Sequence, residues 1–553
     1  MKLANVKPIS PVKIPQKWDY QKDVLVMGGG GSGLAAALGA VERKAQVIIL
    51  EKASDVGGES AMAMNAVGYG SRIWQKTFNK TWTEDDLYEY IRTLPNITAF
   101  AKNADPRLLK NNLIWAAYLV DRLEDMGIKW YAVDQSYRYL GILKLAPVST
   151  DLGEYSFEDP FEFKFGAVTR TLERWLRKQG VKFLLGTPAT ALITDDKGRV
   201  IGAQARTKAG KTIHIKAKGG VVDSTGGFSA NRDMLDYYGS SGANAGCTTA
   251  PMTKMGDGIR LCQGVGASVG NMTDIDGAEG GITCLRRGTG NKAWGQNLYD
   301  ATVQLARQPG LYVNKYGLRF TNEYLTAFGA YELLMEQPDH VIYSIFDADL
   351  DGAVKAFDST TCKKPVTSDF GVYYNDDDIR RAGENPPYTP YFPGQALSFC
   401  DWHDGLRRGI EGGVIKVADT IEELAGIYGI DQKKLRQTVD EYNASYDRGK
   451  DNPIFAKDPG SLRQIRKPPF YGIEHGPRVL DTRGGVVIND KSQVVNSEGQ
   501  PIPGLYAGSV SICGEAGRGG AIGVVGGMAF AYVGGMGAAD EALGPLPRAE
   551  GRY

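Results

Sequence analysis

Three glycines and one glutamate have the spacing of a dinucleotide-binding turn. The apolar segment 23–28 runs directly into these glycines, and a second apolar segment ends at Glu51. Gly28 makes the tight turn, Gly30 lets the backbone approach a pyrophosphate, and Gly33 allows the following helix to pack closely on the strand. The Glu51 carboxylate accepts hydrogen bonds from a ribose diol. The pattern therefore predicts a dinucleotide whose pyrophosphate lies at a helix N-terminus.

The composition of the chain limits its partners. Lys plus Arg and Asp plus Glu each total 64 of the 553 residues, so the formal net charge is zero. No basic excess is available to neutralise phosphates, which argues against nucleic acid and against a polybasic membrane anchor. Glycine makes up 71 residues, about 13%, against roughly 7% in ordinary proteins. Because no collagen-like repeat is present, the excess predicts close backbone approaches and phosphate-binding turns.

The cysteines and the N-terminal segment predict the compartment. The six cysteines form no Cys-x-x-Cys pair, which disfavours a zinc site, a thiol redox motif and a secreted disulfide framework. The first 20 residues contain neither a continuous apolar run nor a twin arginine. We therefore expect a cytoplasmic protein that does not engage a membrane. The uncharged segment 519–539 is interpreted as a buried helix, because eight of its 21 residues are glycine.

Local patterns divide the chain into domains. Glycine turns, apolar strands and helices dominate both ends, whereas the middle is rich in tyrosine, proline and polar loops. Near the end of this middle part, Thr420 and Asp431 have the positions of helix N-caps. We predict an N-terminal extension (1–21), a nucleotide-binding domain in two parts (22–305 and 466–553) and an inserted lobe (306–465).

Beyond the first glycine turn, four further segments carry recognisable sequences: Gly57-Gly58, 224–228, 311–323 and 501–509. Together with residues 28–40 and Glu51, they resemble the fumarate reductase/succinate dehydrogenase flavoprotein superfamily, from about residue 22 to 540. The resemblance implies an α/β fold in which a Rossmann-like FAD-binding domain carries an inserted α+β capping domain. It also implies hydride exchange between flavin N5 and a carbon beside an activating group.

Departures from the family narrow the expected reaction. Residues 57–68 contain no histidine, so FAD is expected to be non-covalent, unlike the FAD of succinate dehydrogenases. Ala327 stands where fumarate reductases carry the arginine that delivers a proton. Leu480-Asp481-Thr482 stands where they carry His-His-Thr. A dicarboxylate reductase is therefore disfavoured.

The late segments are most similar to the 3-ketosteroid dehydrogenase-like branch. Residues 481–485 correspond to its GTKGG-like segment, and residues 517–523 resemble the glycine turn whose backbone N–H binds the substrate ketone. Two tyrosines of that branch fall at Ala327 and Glu515 in this chain. We therefore expect ketone-activation chemistry with different side chains and a different or smaller ring.

Desaturating a ketone requires donors for the developing enolate, a base for the α-proton and N5 for the β-hydride. Backbone N–H groups of Gly519 and Gly520 are candidate oxyanion donors at the start of the last helix; alternatively, these glycines only pack that helix against FAD. Arg518 is expected to meet a substrate carboxylate or the flavin, or else to pair with Glu515.

A tyrosine is the expected base, because the chain has only four histidines. Segment 130–141 resembles the Tyr-x-x-Tyr region of the ketosteroid enzymes. Tyr137 and Tyr139 are therefore the leading candidates, followed by Tyr131 and by Tyr324 beside the vacant position 327. The alternative for each is ordinary loop packing.

The predicted FAD contacts come from the glycine turns and the segments beside them, and no residue is assigned to a metal. They are Gly28, Gly30, Ser32, Gly33, Glu51, Lys52, Gly58, Glu59, Ser60, Ala189, Thr225, Gly226, Gly508, Gly520, Ala521 and Ile522.

The leading prediction is an FAD-dependent dehydrogenase acting on CH–CH groups, which desaturates a 3-ketosteroid or cyclohexanone-type ketone. One alternative is a fumarate-reductase-like ene-reductase of an unsaturated acid or enone. Another is a flavoprotein electron-transfer subunit. Because the sequence has no haem or iron–sulfur motif, electrons are expected to pass to a diffusible acceptor or a separate protein.

Overall fold

The computed structural model describes most of both ends of the chain and parts of its middle. The described residues are 3–62, 65–66, 68–78, 81, 83, 85–86, 88–89, 106–128, 130–135, 139–145, 166–239, 253–282, 310–323, 333–349, 402–457, 459, 462–509, 512 and 519–545.

Within these residues, strands and helices alternate. The strands are β1 (Tyr20–Met27), β2 (Val47–Leu50), β3 (Asn65–Ala66), β4 (Trp130–Gln135), β5 (Tyr139–Leu145), β6 (Lys182–Leu184), β7 (Ala189–Thr194), β8 (Val200–Arg206), β9 (Thr212–Asp223), β10 (Val269–Gly270), β11 (Ile275–Ile282), β12 (Leu311–Asn314), β13 (Ile342–Phe346), β14 (Ile415–Ala418), β15 (Phe470–Thr482), β16 (Gly485–Val486), β17 (Gln493–Val495) and β18 (Pro501–Ala507). The α-helices are α1 (Gly31–Glu42), α2 (Arg72–Phe78), α3 (Pro106–Asp125), α4 (Gly166–Lys178), α5 (Arg232–Tyr237), α6 (Asp257–Gly264), α7 (Trp402–Glu411), α8 (Ile421–Tyr428), α9 (Gln432–Asp447) and α10 (Gly519–Leu543). Short 3-10 segments lie at Leu3–Asn5, Gly58–Met62 and Pro338–His340.

The chain folds as two compact units, and the second is an insertion in the sequence of the first. The first unit comprises Met1–Ser240, Pro251–Ile275 and Asp481–Tyr553. The second comprises Ser241–Ala250 and Asp276–Leu480. The domain boundaries expected from the sequence, at 305/306 and 465/466, stay predictions.

A mainly parallel sheet forms the centre of the first unit. Among the described residues, its strands run in the order β17-β18-β9-β1-β2-β6, and β7 and β8 extend it from β9. β1 is parallel to both β2 and β9, with Val26 opposite Ile49 and Val222. Residues 24–27 and 47–50 are all buried, as expected for parallel strands. The sheet confirms the predicted Rossmann-like α/β fold.

Glycines allow α1 and α10 to pack closely in the first unit. A Cβ atom built at Gly39 would lie 2.4 Å from the carbonyl oxygen of Tyr532, and one built at Gly535 would lie 1.9 Å from that of Ala36. Side chains do not fit at such distances, so these glycines set the separation of the helices. Segment 519–539 thus belongs to a packed helix, as its composition predicted. In the part of the chain that the structure describes, no helix combines the length and apolarity that a membrane crossing requires.

The second unit combines an antiparallel sheet with helices. Its strand order is β11-β15-β13-β12, with β14 also paired to β15. The Thr420 side chain accepts from the Glu423 amide in a complete capping box at the start of α8, and Asp431 accepts from the Lys434 amide at the start of α9. Both N-caps confirm the sequence prediction. α8 and α9 bury apolar residues against this sheet, which gives the unit a core of its own.

Candidate cofactor and active site

The first glycine turn, residues 28–33, joins β1 to α1 in a geometry that only glycine permits. Gly28 has φ = +99°, and a Cβ built there would lie 2.3 Å from the carbonyl oxygen of Ser224. A Cβ built at Gly33 would lie 1.9 Å from the carbonyl oxygen of Gly28. In contrast, the nearest atom to a Cβ built at Gly30 is 3.8 Å away. The backbone is therefore tightly packed at Gly28 and Gly33, whereas a Cβ at Gly30, beside the N-terminal amides of α1, would make only ordinary contacts.

Glu51 follows β2, and backbone donors of the neighbouring loops hold its carboxylate. Oε2 accepts a hydrogen bond of 2.6 Å from the Gly29 amide, and Oε1 accepts one of 2.6 Å from the Ala53 amide. Burial raises the pKa of Glu51, although both hydrogen bonds oppose the shift. A carboxylate oxygen has more than one acceptor site, so each can also accept from a ribose hydroxyl. This arrangement fits the predicted role of Glu51.

The second glycine turn, residues 57–60, lies edge to edge with the first. The Gly57 amide donates to the Gly29 carbonyl at 2.9 Å, and a Cβ built at Gly31 would lie 2.9 Å from the Ser60 side chain. Gly57 and Gly58 have φ of +109° and +49°. The structure therefore brings the predicted contacts Gly58, Glu59 and Ser60 to the N-terminus of α1.

The third glycine turn, residues 224–227, lies beneath the first turn and is held by side chains of its own unit. Asp223 Oδ1 accepts from the Thr225 amide at 3.1 Å, and the Thr225 hydroxyl accepts from the Gly258 amide at 3.1 Å. Next to it, Lys52 Nζ lies 2.7 Å from Asp257 Oδ2. Thr225, Gly226 and Lys52 were all predicted as FAD contacts, and the structure brings them to one edge of the sheet.

A buried lysine connects the second and third turns. Lys254 Nζ pairs with Glu59 Oε2 and lies 2.5 Å from Asp481 Oδ1. Its side chain is 5% exposed, whereas Glu59 and Asp481 are 28% and 22% exposed. Burial alone would lower the pKa of the Lys254 ammonium, but Asp481 and Glu59 outweigh this effect and raise it. We call Lys254, Glu59 and Asp481 the Lys254 cluster.

Sequence reasoning missed Lys254. Asp481 was noted as a replacement for histidine and as the start of the GTKGG-like segment, and Glu59 as a cofactor contact. The partners lie 195 and 227 positions from Lys254. A single lysine in a polar segment carries no local signal, so only the folded chain reveals the cluster.

The remaining predicted cofactor contacts are distributed between the sheet and α10. The Gly508 amide donates to the Asp223 carbonyl at 2.9 Å, and a Cβ built at Gly508 would lie 2.3 Å from the Ala531 nitrogen. Ser32 is buried in α1, and Ala189 begins β7. Gly520, Ala521 and Ile522 belong to the first turn of α10, where the structure describes only the backbone.

Most of the predicted catalytic residues are not covered by the structure. Tyr137, Tyr324 and Arg518 lie outside the described residues. Tyr131 and Tyr139 lie on the paired strands β4 and β5, but their side chains lie outside the described part. Gly519 is the first residue of α10, as expected for an oxyanion donor at a helix start. The catalytic roles therefore stay predictions.

The three glycine turns and Glu51 lie together in the first unit, which also contains the start of α10, and the turns and Glu51 together fit FAD. The N-terminal amides of α1 beside Gly30 suit a pyrophosphate, and the carboxylate of Glu51, held by two backbone amides, suits a ribose. The Lys254 cluster adds charge where the second and third turns meet.

Comparison with known proteins gives matches along almost the whole chain. The family described as "FAD binding domain" matches residues 23–524. The chain is 26% identical to a fumarate reductase (cytochrome) of Shewanella frigidimarina, covering 88% of this chain and 72% of the relative. It is also 26% identical to the vinyl phenol reductase of Lactiplantibacillus plantarum, covering 90% of each. An NADH:acrylate oxidoreductase of Vibrio harveyi is 27% identical over 88% of this chain and 47% of its own length.

Solved structures share the fold. The open form of a flavocytochrome c3 fumarate reductase matches with a TM-score of 0.70 at 22% identity, covering 95% of this chain and 79% of that one. A 3-ketosteroid Δ1-dehydrogenase of Sterolibacterium denitrificans matches with a TM-score of 0.68 at 20% identity, covering 94% and 99%.

Proposed function

Because the chain belongs to the FAD binding domain family, within the fumarate reductase/succinate dehydrogenase flavoprotein superfamily, we propose that it reduces a carbon–carbon double bond activated by an adjacent electron-withdrawing group. The chain is an FAD-dependent oxidoreductase. Our proposal concerns its substrate and the direction of the reaction. The relatives' names carry this proposal: fumarate, acrylate and vinyl phenol all contain a double bond conjugated to a carboxylate or an aromatic ring.

The three glycine turns and Glu51 would hold FAD non-covalently. When bound, FAD exchanges a hydride with a substrate carbon through N5. The chain must then bind the activating group, exclude water and supply a proton to the neighbouring carbon. In the reductive direction the hydride goes to the β-carbon and the proton to the α-carbon, so both electrons and the proton are accounted for.

The substrate we favour is an enone or a monocarboxylic enoate rather than a dicarboxylate. Ala327 and Asp481 occupy positions at which the fumarate reductases carry an arginine and a histidine. Asp481 is a carboxylate paired with Lys254, so it offers no free positive charge to a second substrate carboxylate. Backbone amides at Gly519 and Gly520 remain our candidates for polarising the substrate carbonyl.

The second candidate is the reverse reaction, desaturation of a cyclic ketone. It is favoured by segment 517–523, which resembles the ketone-binding turn of the ketosteroid dehydrogenase-like branch. In this direction a tyrosine would take the α-proton, and bound FAD would supply the hydride acceptor. Tyr137 and Tyr139 are the leading candidates for this base, followed by Tyr131 and Tyr324. Both candidates use one site and differ in the direction of electron flow.

The test is an anaerobic half-reaction with purified holoprotein. Photoreduced protein is mixed separately with cyclohexenone, acrylate, 4-vinylphenol and fumarate, and oxidised protein with cyclohexanone and a saturated 3-ketosteroid. We expect cyclohexenone or acrylate to restore the oxidised flavin band and to gain two hydrogens by mass spectrometry, with 4-vinylphenol and fumarate slower. Bleaching by a saturated ketone alone would replace the proposal with desaturation. No reaction in either direction would contradict both.

A matched pair of variants tests the proton-transfer residue. If Tyr137 or Tyr139 handles the proton, Tyr137→Phe or Tyr139→Phe should slow the half-reaction by about 100-fold or more, because general acid–base catalysis contributes that much. FAD content should stay at the wild-type level. Equal rates in both variants and the wild type would remove these two residues from the mechanism.

A further inference from the structure

Residues 3–12, which we call the N-terminal strap, lie against α5, α6 and β7 of the first unit. Near its start, the Asn5 side-chain amide donates to Asp233 Oδ2 of α5 at 2.7 Å. Val6 is 4% exposed and anchors the strap in the unit. At the other end, the Val12 amide donates to a carbonyl of β7 at 2.8 Å. The strap is therefore attached at several points along its length.

Arg260 of α6 holds the middle of the strap. Its guanidinium donates to the Lys7 carbonyl at 3.0 Å and also to the Ala4 carbonyl. Its own carbonyl accepts from the Ile9 amide at 2.9 Å. At the end of α6, a Cβ built at Gly264 would lie 1.8 Å from the Ile9 carbonyl oxygen. No side chain fits at that distance, so the strap and α6 pack backbone against backbone.

Asn231 connects the strap to the residues just before α6. Its side-chain amide donates to the Asn5 carbonyl at 2.9 Å and to the Met255 carbonyl at 2.8 Å. Its Oδ1 accepts from the Met234 amide at the start of α5. Asn231 is 1% exposed, and breaking hydrogen bonds of a buried polar group costs free energy. A shift of the strap would therefore disturb the entry into α6.

The first turn of α6 contacts residues of the cofactor site. The Gly258 amide donates to the Thr225 hydroxyl at 3.1 Å, and a Cβ built at Gly258 would lie 2.2 Å from that oxygen. Beside it, Asp257 Oδ2 lies 2.7 Å from Lys52 Nζ. Thr225 and Lys52 are both assigned to FAD. One short helix thus contacts the strap on one side and two predicted FAD contacts on the other.

We propose that the N-terminal strap is a positioning element for FAD. When docked, it holds α6 and, through α6, Thr225 and Lys52 in the arrangement that binds the cofactor. Docking of the strap and binding of FAD then stabilise each other by the same factor, because thermodynamic coupling between two sites is reciprocal. Arg260 and Asn231 are the positioning residues. This coupling depends on FAD but on no particular substrate, so it can fail while the proposed function holds.

FAD affinity is measured by fluorescence titration of apoprotein prepared from the holoprotein. Arg260→Met removes the guanidinium that holds two strap carbonyls, and Val6→Ser weakens the anchor in the strap itself. Each variant should raise the dissociation constant for FAD about tenfold, within the range of about 5- to 150-fold that is typical of coupled sites.

The reciprocal effect is measured by hydrogen exchange of the strap amides, followed by mass spectrometry of an N-terminal peptide. In the wild type, FAD should slow exchange at Ile9 and Val12, whose amides donate to α6 and β7. In Arg260→Met, saturating FAD should protect them less.

Arg199→Met is the matched control. This arginine of the same unit donates to the Gly219 carbonyl at 2.8 Å and pairs with Glu541 of α10. Its loss should lower thermal stability but leave FAD affinity unchanged.

Wild-type FAD affinity in both Arg260→Met and Val6→Ser would overturn the proposal, and so would strap exchange that FAD does not alter. Lower thermal stability with unchanged affinity would make the strap purely structural. If Arg260→Met does not fold, Val6→Ser and the exchange measurement on the wild type still decide the outcome.

Discussion

Two buried ionic clusters, one in each unit, differ in charge balance and in enclosure. The Arg319 cluster of the second unit consists of Arg319, Glu323, Asp451 and Lys457, with a formal charge of zero. Its side chains are 6%, 1%, 1% and 3% exposed. The Lys254 cluster of the first unit has a formal charge of −1, and its carboxylates are partly open.

The side chains of the Arg319 cluster are held by hydrogen bonds to one another and to Tyr442. The Arg319 guanidinium donates to Glu323 at 2.8 and 2.9 Å and to Asp451 at 2.8 and 3.0 Å. Lys457 Nζ lies 3.1 Å from Glu323 Oε2 and donates to the Tyr442 hydroxyl at 2.9 Å. Burial opposes the charge on Arg319, but Glu323 and Asp451 outweigh it and raise its pKa. Every charge has an opposite partner, so none is offered to a ligand.

The two clusters depend on their ion pairs to different degrees. Buried ions cost desolvation energy unless their partners compensate for it. A closed, neutral cluster meets that condition by itself, and it ties segment 311–323 to residues 451–457. In the Lys254 cluster the two carboxylates keep part of their hydration, so less of their free energy depends on the pairing with Lys254.

Removing the central cation of the Arg319 cluster should be the most damaging change. Arg319→Met leaves Glu323 and Asp451 buried beside a single lysine, and breaking a buried ion pair in this way costs about 3–5 kcal/mol of unfolding free energy. We expect a clear fall in the thermal unfolding midpoint, measured by circular dichroism. A fall no larger than that caused by Arg407→Gln would contradict the structural role of the Arg319 cluster.

Lys254→Met should destabilise the protein less, by about 2 kcal/mol, because Glu59 and Asp481 are partly solvated and keep some hydration. The pKa of Lys254 is raised in the folded state, so its contribution is complete below the unfolded value of about 10.4 and declines as pH rises through the higher folded value.

Urea unfolding of the wild type and Lys254→Met between neutral and strongly alkaline pH checks this prediction. The difference between the two proteins should be constant near neutrality and smaller above about pH 10.4. A difference that grows with alkalinity would contradict the assignment of Lys254 as an ammonium.

Glu51→Gln should lower the affinity of the protein for FAD, but it should not lower the stability of the apoprotein. The variant loses the charged acceptor for the ribose, which should weaken FAD binding about tenfold, equivalent to about 1.4 kcal/mol. Because burial raises the pKa of Glu51, its ionisation opposes folding at pH above that raised value, so the apo variant should be equally or more stable there.

Fluorescence titration with FAD and thermal unfolding of the apoprotein measure the two effects. Glu498→Gln, which removes an exposed carboxylate in the turn between β17 and β18, serves as the control and should bind FAD like the wild type. Unchanged FAD affinity in Glu51→Gln would contradict the predicted role of Glu51.

The smallest change in unfolding free energy is expected at an exposed ion pair. This pair is the reference against which the two buried clusters are compared. Arg407 Nη1 lies 2.8 Å from Glu411 Oε2 in α7, and the side chains are 58% and 62% exposed. Arg407→Gln should change the unfolding free energy by less than about 0.5 kcal/mol, since water screens such pairs. A loss of unfolding free energy as large as that of Lys254→Met would show that solvent exposure does not explain the difference in strength between these ion pairs.

The sequence predicted the features that depend on neighbouring residues. The glycines at 28, 30 and 33 between two apolar strands specified the parallel sheet and the turn, because only glycine has the required backbone freedom and the required space. Thr420 and Asp431 marked two helix starts for a similar reason, since a cap bonds to an amide three residues away.

The tertiary structure decided which distant charges meet. Nothing within several residues of Lys254 distinguishes it from a surface lysine, and its partners come from a loop after β2 and from the end of β15. Likewise, Arg319 and Glu323 are four residues apart, but Asp451 lies 132 positions from Arg319. Sequence alone therefore determined the sheet, the glycine turns and the FAD-binding family. Folding determined which charges are closed off and which stay partly exposed, because burial and Coulomb energy depend on distances in space rather than along the chain.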